Sequence, residues 1–255
     1  MDEVVVRELS PVVRKRMGRP ARYITPRGAR VVLSRRFGTP VLFTIDNEAD
    51  RIHQVHGKGA FYEAKQLEVL AEHFPEGGTF ADIGANIGNH SLYMLLFGGA
   101  TTVMPFEMNP DAIALYLSNI CLNGLEDRVT LETLGYGLGD VEIDDAAVHA
   151  PKGNLGWAKV DTTGGGDIPL RTGDSLIDGR HVDFLKVDVE GMEVAALRGL
   201  AKTVASCRPN MFVEVDHRNR ADFEALMEEW DYTIARAFGG NRINENLLLL
   251  PKERR

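Results

Sequence analysis

Ionisable side chains gather where two apolar runs end in the second half of the chain. They are Asp188, Glu190, Glu214, Asp216 and His217. If both runs are parallel strands of one sheet, these side chains meet at its carboxyl edge, where α/β folds bind their ligands. Carboxylates and an imidazole at such an edge can take a proton from a substrate or hold a cation. Pairing with Lys186 would shift their pKa values, which indicates a candidate active site; a purely structural ion-pair network is the alternative.

A glycine-bearing turn follows an earlier apolar run. Residues 79–91 read Thr-Phe-Ala-Asp-Ile-Gly-Ala-Asn-Ile-Gly-Asn-His-Ser, a pattern typical of a strand, a tight turn and a helix. Gly84 and Gly88 lack a Cβ, so the backbone there can touch a ligand and adopt positive φ. The free N–H groups of the helix start point to the same place. The turn therefore predicts a nucleotide-type cofactor site at the carboxyl edge of a parallel sheet.

An acidic residue, Glu107, lies 23 residues after Gly84 and ends the next apolar run. At about this spacing, nucleotide-binding α/β folds place a carboxylate that accepts hydrogen bonds from the ribose hydroxyls. The spacing alone does not separate NAD from S-adenosylmethionine (SAM). However, Asn86 stands where the dinucleotide fingerprint has its middle glycine, and Asp82 would place a negative charge beside a pyrophosphate. A sulfonium and an ammonium group tolerate that carboxylate, so the turn favours SAM over NAD.

The elements that must position these residues alternate strand and helix. We predict core strands at 79–83, 101–106, 129–134, 182–187 and 211–215, and a final antiparallel hairpin at 232–236 and 246–250. We predict helices at 61–74, 88–97, 110–123, 192–206 and 221–230. Repeated β–α units indicate an α/β fold, doubly wound around a mostly parallel sheet with helices on both faces.

Two segments fall outside this alternation. Alternating apolar residues predict short strands at 30–34 and 41–45, followed by a loop at 51–60. The glycine-rich segment 149–173 predicts no packed element, and long segments of this kind are often lids or binding loops. Trp157 within it could stack on a sugar ring or pack in the core. We therefore expect residues 1–60 to form an N-terminal extension of short strands and loop before the main domain at 61–255.

Composition bounds the class of protein. The chain has 255 residues, of which 26% are charged, and a net charge of −8 at pH 7. This balance fits a globular protein and disfavours non-specific binding to nucleic acid. Cys121 and Cys207 lack a metal-type spacing, so free thiols in a reducing cytosol are expected. No apolar run approaches about 18 residues, and the acidic start is unlike a signal peptide. We expect a cytoplasmic protein without a membrane or nucleic-acid partner.

The sequence resembles the FkbM family of SAM-dependent methyltransferases. The resemblance lies in segments 80–91, 103–110, 119–125, 138–140 and 183–193, and continues in the same order to about residue 250. It implies a class I methyltransferase (Rossmann-like) fold at 61–255, with a seven-stranded sheet and a late antiparallel strand. It also implies O-methylation, with a hydroxyl of a small molecule, a sugar or natural product, as the acceptor. Met108 departs from the family pattern, which usually has proline there.

The resemblance also assigns the cofactor contacts. The residues expected to pack against the methionine part of SAM are Gly84, Ala85, Asn86 and Gly88, with Asp82 near its amino group. Glu107 is expected to hold the ribose. The residues expected to flank the adenine are Met108, Tyr136, Gly137 and Leu138.

Methyl transfer to a hydroxyl also requires removal of its proton. The candidate bases are Asp188 and His217, with Glu214 as an orienting group or second-choice base. A divalent metal such as Mg²⁺, held by Asp188, Glu214 and Asp216, would lower the pKa of the acceptor hydroxyl. Carboxylates at strand ends are common without a metal, so a site without one is the favoured expectation.

Two other functions stay open. One is an NAD-dependent oxidoreductase, against which Asn86 and Asp82 argue. The other is a non-catalytic SAM-binding protein of the same fold, against which the intact Glu107 and Asp188 argue. Residues 1–60 could cap the site or form a homodimer contact, and no pattern in them decides between these roles.

Overall fold

The computed structural model describes residues 25–149, 159–161, 165–166, 168–240 and 242–254. Trp157 lies outside these ranges. The strands are β1 (Arg30–Arg36), β2 (Thr39–Ile45), β3 (Thr79–Ile83), β4 (Thr102–Phe106), β5 (Gly137–Leu138), β6 (Ile143–His149), β7 (Lys159–Asp161), β8 (Ile168–Arg171), β9 (Phe184–Val187), β10 (Asn210–Asp216), β11 (Tyr232–Phe238) and β12 (Asn244–Pro251). The helices are α1 (Arg51–His56), α2 (Ala64–Glu72), α3 (Asn89–Leu96), α4 (Pro110–Leu122), α5 (Gly173–Ile177), α6 (Glu193–Arg198), α7 (Ala201–Cys207) and α8 (Arg220–Glu229).

The central sheet has six strands in the order β11-β12-β10-β9-β3-β4. Strands β4, β3, β9 and β10 run parallel to one another, and β12 is antiparallel to β10. This arrangement confirms the predicted mostly parallel, Rossmann-like sheet with a late antiparallel strand. Strands β3 and β9 lie inside the sheet and are buried on both faces, which explains their nearly continuous apolar sequence.

The seventh strand, predicted at 129–134, does not form. Val129 makes a single parallel bridge with Val103, and Leu131–Thr133 turns into a 3₁₀ helix. The cause lies in β4, where Pro105 presents its carbonyl to this side and accepts a hydrogen bond from the Thr133 hydroxyl. Because proline has no N–H, Pro105 cannot donate to a further strand here, and the ladder stops after one bridge.

A second, smaller sheet has the strand order β5-β8-β6-β7. Two of its strands, β7 and β8, lie within the segment 149–173 that we predicted to hold no packed element, so that prediction is wrong for these residues. Leu170 of β8 is 2% exposed and lies opposite Gly137 of β5. This sheet places Gly137 and Leu138 beside the carboxyl edge of the central sheet.

Two predicted elements differ in their helices. The helix predicted at 192–206 is divided into α6 and α7 because Asp174 takes over the hydrogen bonds at the break: its N–H donates to the Gly199 carbonyl oxygen at 2.9 Å, and its carboxylate accepts from the N–H groups of Lys202 and Thr203 at 2.9 and 2.8 Å. The loop predicted at 51–60 contains α1, which begins with Asp50 as N-cap. The Asp50 carboxylate accepts from the backbone N–H groups of Ile52 and His53 at 2.8 and 3.2 Å, as an N-cap does.

Two apolar clusters fill the two faces of the central sheet. The first also contains Val41 and Phe43 of β2, so the N-terminal hairpin, β1 paired with β2, packs on the main domain. Asn119 of α4 and Asn123, the C-cap of α4, accept hydrogen bonds from the β2 backbone N–H groups of Thr44 and Leu42 at 2.6 and 3.0 Å. Among the described residues, no helix has the length and apolar character needed to cross a membrane.

Candidate active site

A cavity of about 570 Å³ lies at the carboxyl edge of the central sheet. Its size falls within the range of sites for small molecules and cofactors. The sequence-predicted residues that line it are Gly84, Asn86, Glu107, Met108, Tyr136, Gly137, Leu138 and Asp188. The structure therefore brings together the glycine turn, the acid after β4 and the acid after β9. Those predicted residues that do not line it are Asp82, Ala85, Gly88, Glu214 and His217.

The glycine turn needs its glycines. Gly84 has φ +78°, and an added Cβ would lie 1.8 Å from the carbonyl oxygen of Asp188. Gly88 has φ +88°, and its added Cβ would lie 2.8 Å from the ring of Tyr116. Asn86 also adopts a left-handed conformation, with φ +49°, which asparagine tolerates better than most residues. The turn after β3 is thus pressed against the end of β9 and keeps its backbone open to the cavity.

Glu107 joins two turns through its carboxylate. Its Oε2 accepts from the N–H of Asn86 at 2.9 Å, and its Oε1 accepts from the N–H groups of Met108 and Asn109 at 2.9 and 2.8 Å. Burial raises the pKa of Glu107, although the three backbone hydrogen bonds oppose this shift. Since an ionised carboxylate has about four acceptor positions, Glu107 keeps acceptor capacity for a ligand hydroxyl.

Asp82 supports the turn from behind. It is fully buried, and its Oδ2 accepts from the N–H and hydroxyl of Ser91 at 3.0 and 2.6 Å. Its Oδ1 lies 3.4 Å from the Lys186 ammonium. The structure places Asp82 under the first turn of α3 and outside the cavity lining, and its expected place near a ligand amino group stays a prediction. Ala85 and Gly88 likewise lie outside the cavity lining.

Lys186 is a buried ammonium at the centre of the site. Its Nζ donates to the carbonyl oxygen of Gly84 at 2.8 Å and lies 3.4 Å from Asp188 Oδ2, while its side chain is 3% exposed. Burial lowers the pKa of Lys186, but the carboxylates of Asp188 and Asp82 outweigh burial and raise it. Lys186 therefore stays charged and holds the β3 turn and the β9 end at a fixed distance.

Asp188 and Glu214 form a carboxyl pair that shares a hydrogen bond. Burial raises the pKa of Glu214 to about 9, and the negative charge of Asp188 adds to this shift. Burial also acts on Asp188, but the Lys186 ammonium and the Glu214 hydrogen bond outweigh it and lower the Asp188 pKa. At neutral pH Glu214 holds the proton and Asp188 is ionised, so Asp188 is able to accept a proton.

The acids after β10 divide into two groups. Oxygen atoms of Asp188, Glu190 and Glu214 all lie within 4.8 Å of one another. Asp216, which we expected in a metal set with Asp188 and Glu214, is instead held by Arg218, whose Nε donates to it at 3.0 Å. Among the described residues, the carboxylate cluster therefore contains Glu190 in place of Asp216.

His217 is not brought to the cavity. Its side chain is 46% exposed, and its Nδ1 lies 4.0 Å from Glu245. The residue occupies a 3₁₀ turn, His217–Asn219, after β10. His217 does not line the cavity, whereas a base must come within hydrogen-bond reach of the proton that it takes.

Several residues at the site gave no signal in the sequence. Asp46, Asn47, Asp50 and His53 line the cavity from the N-terminal segment, and no local pattern shows where that segment packs. His90 is another. It is buried, its Nε2 lies 3.9 Å from Glu63, and burial together with the Lys186 charge lowers its pKa to about 4. The sequence shows that His90 follows the glycine turn, but it does not show that the His90 ring is neutral.

The charge of the cavity lining is one-sided. The acids that line it are Asp46, Asp50, Glu107, Asp111, Asp188 and Glu190. No lysine or arginine appears among the described lining residues. A low-dielectric cleft with one sign of charge favours ligands of the opposite sign. The cavity is thus suited to a ligand that carries positive charge and is unfavourable for a polyphosphate.

Comparison with known proteins gives three findings. Residues 82–239, more than half of the chain, match the methyltransferase FkbM domain. The hexuronic acid methyltransferase AglP of Haloferax volcanii is 30% identical over 176 residues, which cover 66% of this chain and 68% of AglP. A crystal structure of methyltransferase FkbM from Methylobacillus flagellatus superposes with a TM-score of 0.49 at 19% identity, covering 72% of this chain and 50% of that one.

A further structure is that of Streptococcus pneumoniae Sp1610, a putative tRNA (m1A22) methyltransferase, in complex with SAM. It has a TM-score of 0.47 and 12% identity, and the superposition covers 73% of this chain and 72% of that one. This chain thus spans about half the length of the Methylobacillus flagellatus structure and more than two thirds of the other two relatives.

Proposed function

This chain belongs to the FkbM methyltransferase family, and from that premise we propose that it transfers a methyl group from SAM to a hydroxyl group of a sugar. The observation that carries this proposal is the acidic cavity between the glycine turn and Asp188. SAM carries a sulfonium and an ammonium group, which six lining carboxylates and no described lysine or arginine favour. The two phosphates of NAD would meet the same charges with repulsion.

The residues present fit this cofactor. Gly84 lines the cavity with bare backbone, since a Cβ there would clash with the Asp188 carbonyl, and Glu107 offers acceptor capacity for a ribose hydroxyl. Met108, Tyr136 and Leu138 supply an apolar side for the adenine. Bound SAM would supply an electrophilic methyl group, and the chain would supply orientation, which alone can contribute much of the rate.

Asp188 is the proposed base. Bound SAM would supply the methyl group to the acceptor oxygen and leave as S-adenosylhomocysteine when its sulfur–methyl bond breaks, and the ionised Asp188 carboxylate would take the proton of the acceptor hydroxyl. Lys186, 3.4 Å from Asp188 Oδ2, keeps this carboxylate charged and in place. Glu214, hydrogen-bonded to Asp188, orients it. His217 has no proposed part in the reaction, because its ring faces Glu245.

We propose that the acceptor hydroxyl lies on an uncharged part of the sugar. The relative AglP acts on a hexuronic acid, as its name states. In this chain the acceptor side of the cavity carries Asp188 and Glu190, which repel a carboxylate and can accept hydrogen bonds from hydroxyl groups. A small-molecule partner also agrees with the acidic lining, which disfavours nucleic acid. A homodimer remains a prediction.

Calorimetric titration of the full chain tests the cofactor proposal. We expect S-adenosylhomocysteine to bind and NAD not to bind. Glu107→Ala should weaken this binding about 10- to 100-fold, as expected for loss of hydrogen bonds to a charged group, whereas Glu72→Gln on the exposed surface of α2 should not. Absence of S-adenosylhomocysteine binding would refute SAM dependence. Binding without turnover on a panel of neutral sugars and hexuronides would instead favour the non-catalytic alternative.

We also propose that the reaction needs no divalent metal. Asp188, Glu190 and Glu214 are close enough to hold one, but the Lys186 ammonium already lies beside Asp188, and Glu214 retains a proton to about pH 9. We expect turnover to be unchanged after treatment with a chelator. A loss of turnover that Mg²⁺ restores would contradict this.

A further inference from the structure

We propose that the segment from Asp46 to His53, which precedes the matched family domain, is one wall of the cofactor site, and that His53 is its positioning residue. This rests on the proposed function above. Asp46, Asn47, Asp50 and His53 line the same cavity as Glu107. The family match begins only at residue 82, so this wall comes from outside the matched segment.

His53 holds the wall in shape. Its Nδ1 accepts from the backbone N–H of Asp46 at 3.1 Å and from that of Asn47 at 3.3 Å. The residue is 6% exposed, so water does not compete well for these donors. The single imidazole therefore fixes the turn that leads from β2 into α1.

Two buried amides tie the residues that flank this wall to the glycine turn and to the start of α3. The Asn119 side chain accepts from Thr44 N–H at 2.6 Å and donates to the carbonyl of Ile87 at 2.7 Å. At the other end of the wall, His56 Nε2 lies 3.0 Å from Asn89 Oδ1. Ile87 belongs to the glycine turn and Asn89 begins α3. A shift of the wall would thus be transmitted to the backbone that faces the cofactor.

The wall has a chemical role as well as a shape. Asp46 and Asp50 add two carboxylates to the cavity lining, and these attract a cationic ligand. The segment lines the same cavity as Asn86 and Glu107 but belongs to no strand of the central sheet. The predicted boundary at residue 60 therefore separates two parts of one cofactor site.

Hydrogen exchange of the full chain, with and without saturating S-adenosylhomocysteine, tests the wall. We expect slower exchange in residues 46–53 as well as in the turn at 84–88. The β1–β2 turn at residues 37–38 serves as an internal control and should not change. Protection of 84–88 without protection of 46–53 would overturn this inference and leave the proposed function intact. Protection of neither segment would overturn both.

Substitution tests His53 itself. His53→Ala removes the acceptor of two hydrogen bonds and should raise the Kd of S-adenosylhomocysteine and the KM for SAM about 10-fold, with kcat little changed. His53→Asn places an amide oxygen near the position of Nδ1 and should restore most of the affinity. The exposed His181→Ala is the matched control. Unchanged affinity in folded His53→Ala, or no rescue by His53→Asn, would overturn the positioning role.

Discussion

At the scale of single residues, the ionisable groups of the site lie side by side, and each one affects the pKa of its neighbour. Lys186 keeps Asp188 ionised, and Asp188 in turn raises the pKa of Glu214. Two carboxyl groups with opposite shifts are a common arrangement for acid–base chemistry. Here burial and the Asp188 charge raise the pKa of Glu214, while the Lys186 ammonium and the Glu214 hydrogen bond lower that of Asp188.

The base assignment predicts the effect of Asp188→Asn. The variant keeps the size of the side chain but cannot take the acceptor proton, so turnover should fall at least about 100-fold. The Kd of S-adenosylhomocysteine should change less than about 3-fold, because Asp188 contributes one of six lining acids. Single-turnover assays and calorimetry measure the two effects. Asp127→Asn, on an exposed turn, is the control, and near-normal turnover in Asp188→Asn would refute the assignment.

The raised pKa of Glu214 predicts a pH-dependent stability. Below pH 4.5 both folded and unfolded chains hold the Glu214 proton. As the pH rises toward about 9, Glu214 ionises in the unfolded chain before it ionises in the folded chain. The contribution of Glu214 to the free energy of unfolding therefore falls. Glu214→Gln does not titrate and escapes this loss. Its Tm relative to the unsubstituted protein should therefore rise between pH 5 and pH 8.

Thermal unfolding at the two pH values measures this difference. Glu229→Gln, at the exposed end of α8, should show no such change. A Glu214→Gln variant that is equally destabilised at both pH values would contradict the protonated state of Glu214.

At the scale of elements, the sequence predicted those whose cause is local. The strand at 79–83 has the predicted bounds, and the final hairpin forms at β11 and β12. Errors arose where the cause lies elsewhere in the chain. The strand at 129–134 fails because of Pro105 in β4, and the helix at 192–206 divides because Asp174 of α5 binds the backbone at the break. Helical periodicity describes one segment, and neither contact is visible in it.

The break between α6 and α7 gives a test at this scale. Gly199→Ala places a methyl group about 2.0 Å from the Gly139 carbonyl oxygen, which the backbone must move to avoid. Overpacking of this kind typically costs about 1–3 kcal/mol, so we expect a loss of that size in the free energy of unfolding. Gly239→Ala, where a Cβ meets nothing within 4 Å, should be nearly neutral. Equal stability of the two variants would show that the close approach is unimportant.

At the scale of the whole molecule, the site combines two parts of the chain that the sequence shows separately. Glu107 and Asp188 follow predicted strands, and the parallel sheet brings them together. This part could be predicted, because strand ends of a parallel sheet share one edge. The wall at 46–53 could not, because its position depends on β2, which is held by the amide side chains of Asn119 and Asn123, 75 and 81 residues away from their β2 partners in the chain.

The amide side chains of Asn119 and Asn123 make a matched pair for a test. Asn119→Leu leaves the backbone groups of Thr44 and Ile87 unpaired, and each unpaired buried group costs about 1–3 kcal/mol. We expect lower stability and weaker binding of S-adenosylhomocysteine. Asn123→Leu breaks hydrogen bonds to Leu42 but none to the glycine turn. It should lower stability and leave the affinity of the folded protein near normal.

Urea unfolding and calorimetry at a temperature where both variants are folded separate these outcomes. If Asn119→Leu and Asn123→Leu weaken binding equally, the link from β2 to the glycine turn has no role of its own.

Because Lys186 is deeply buried, its chemical labelling reports local opening of the structure between the β3 turn and the β9 end. Acylating reagents attack the free amine, whereas Lys186 is an ammonium clasped between two carboxylates with 3% of its side chain exposed. Surface lysines should be labelled rapidly in a footprinting experiment. Lys186 should be labelled only when the β3 turn and the β9 end separate. Its labelling rate, followed by mass spectrometry, would measure how often these two segments separate.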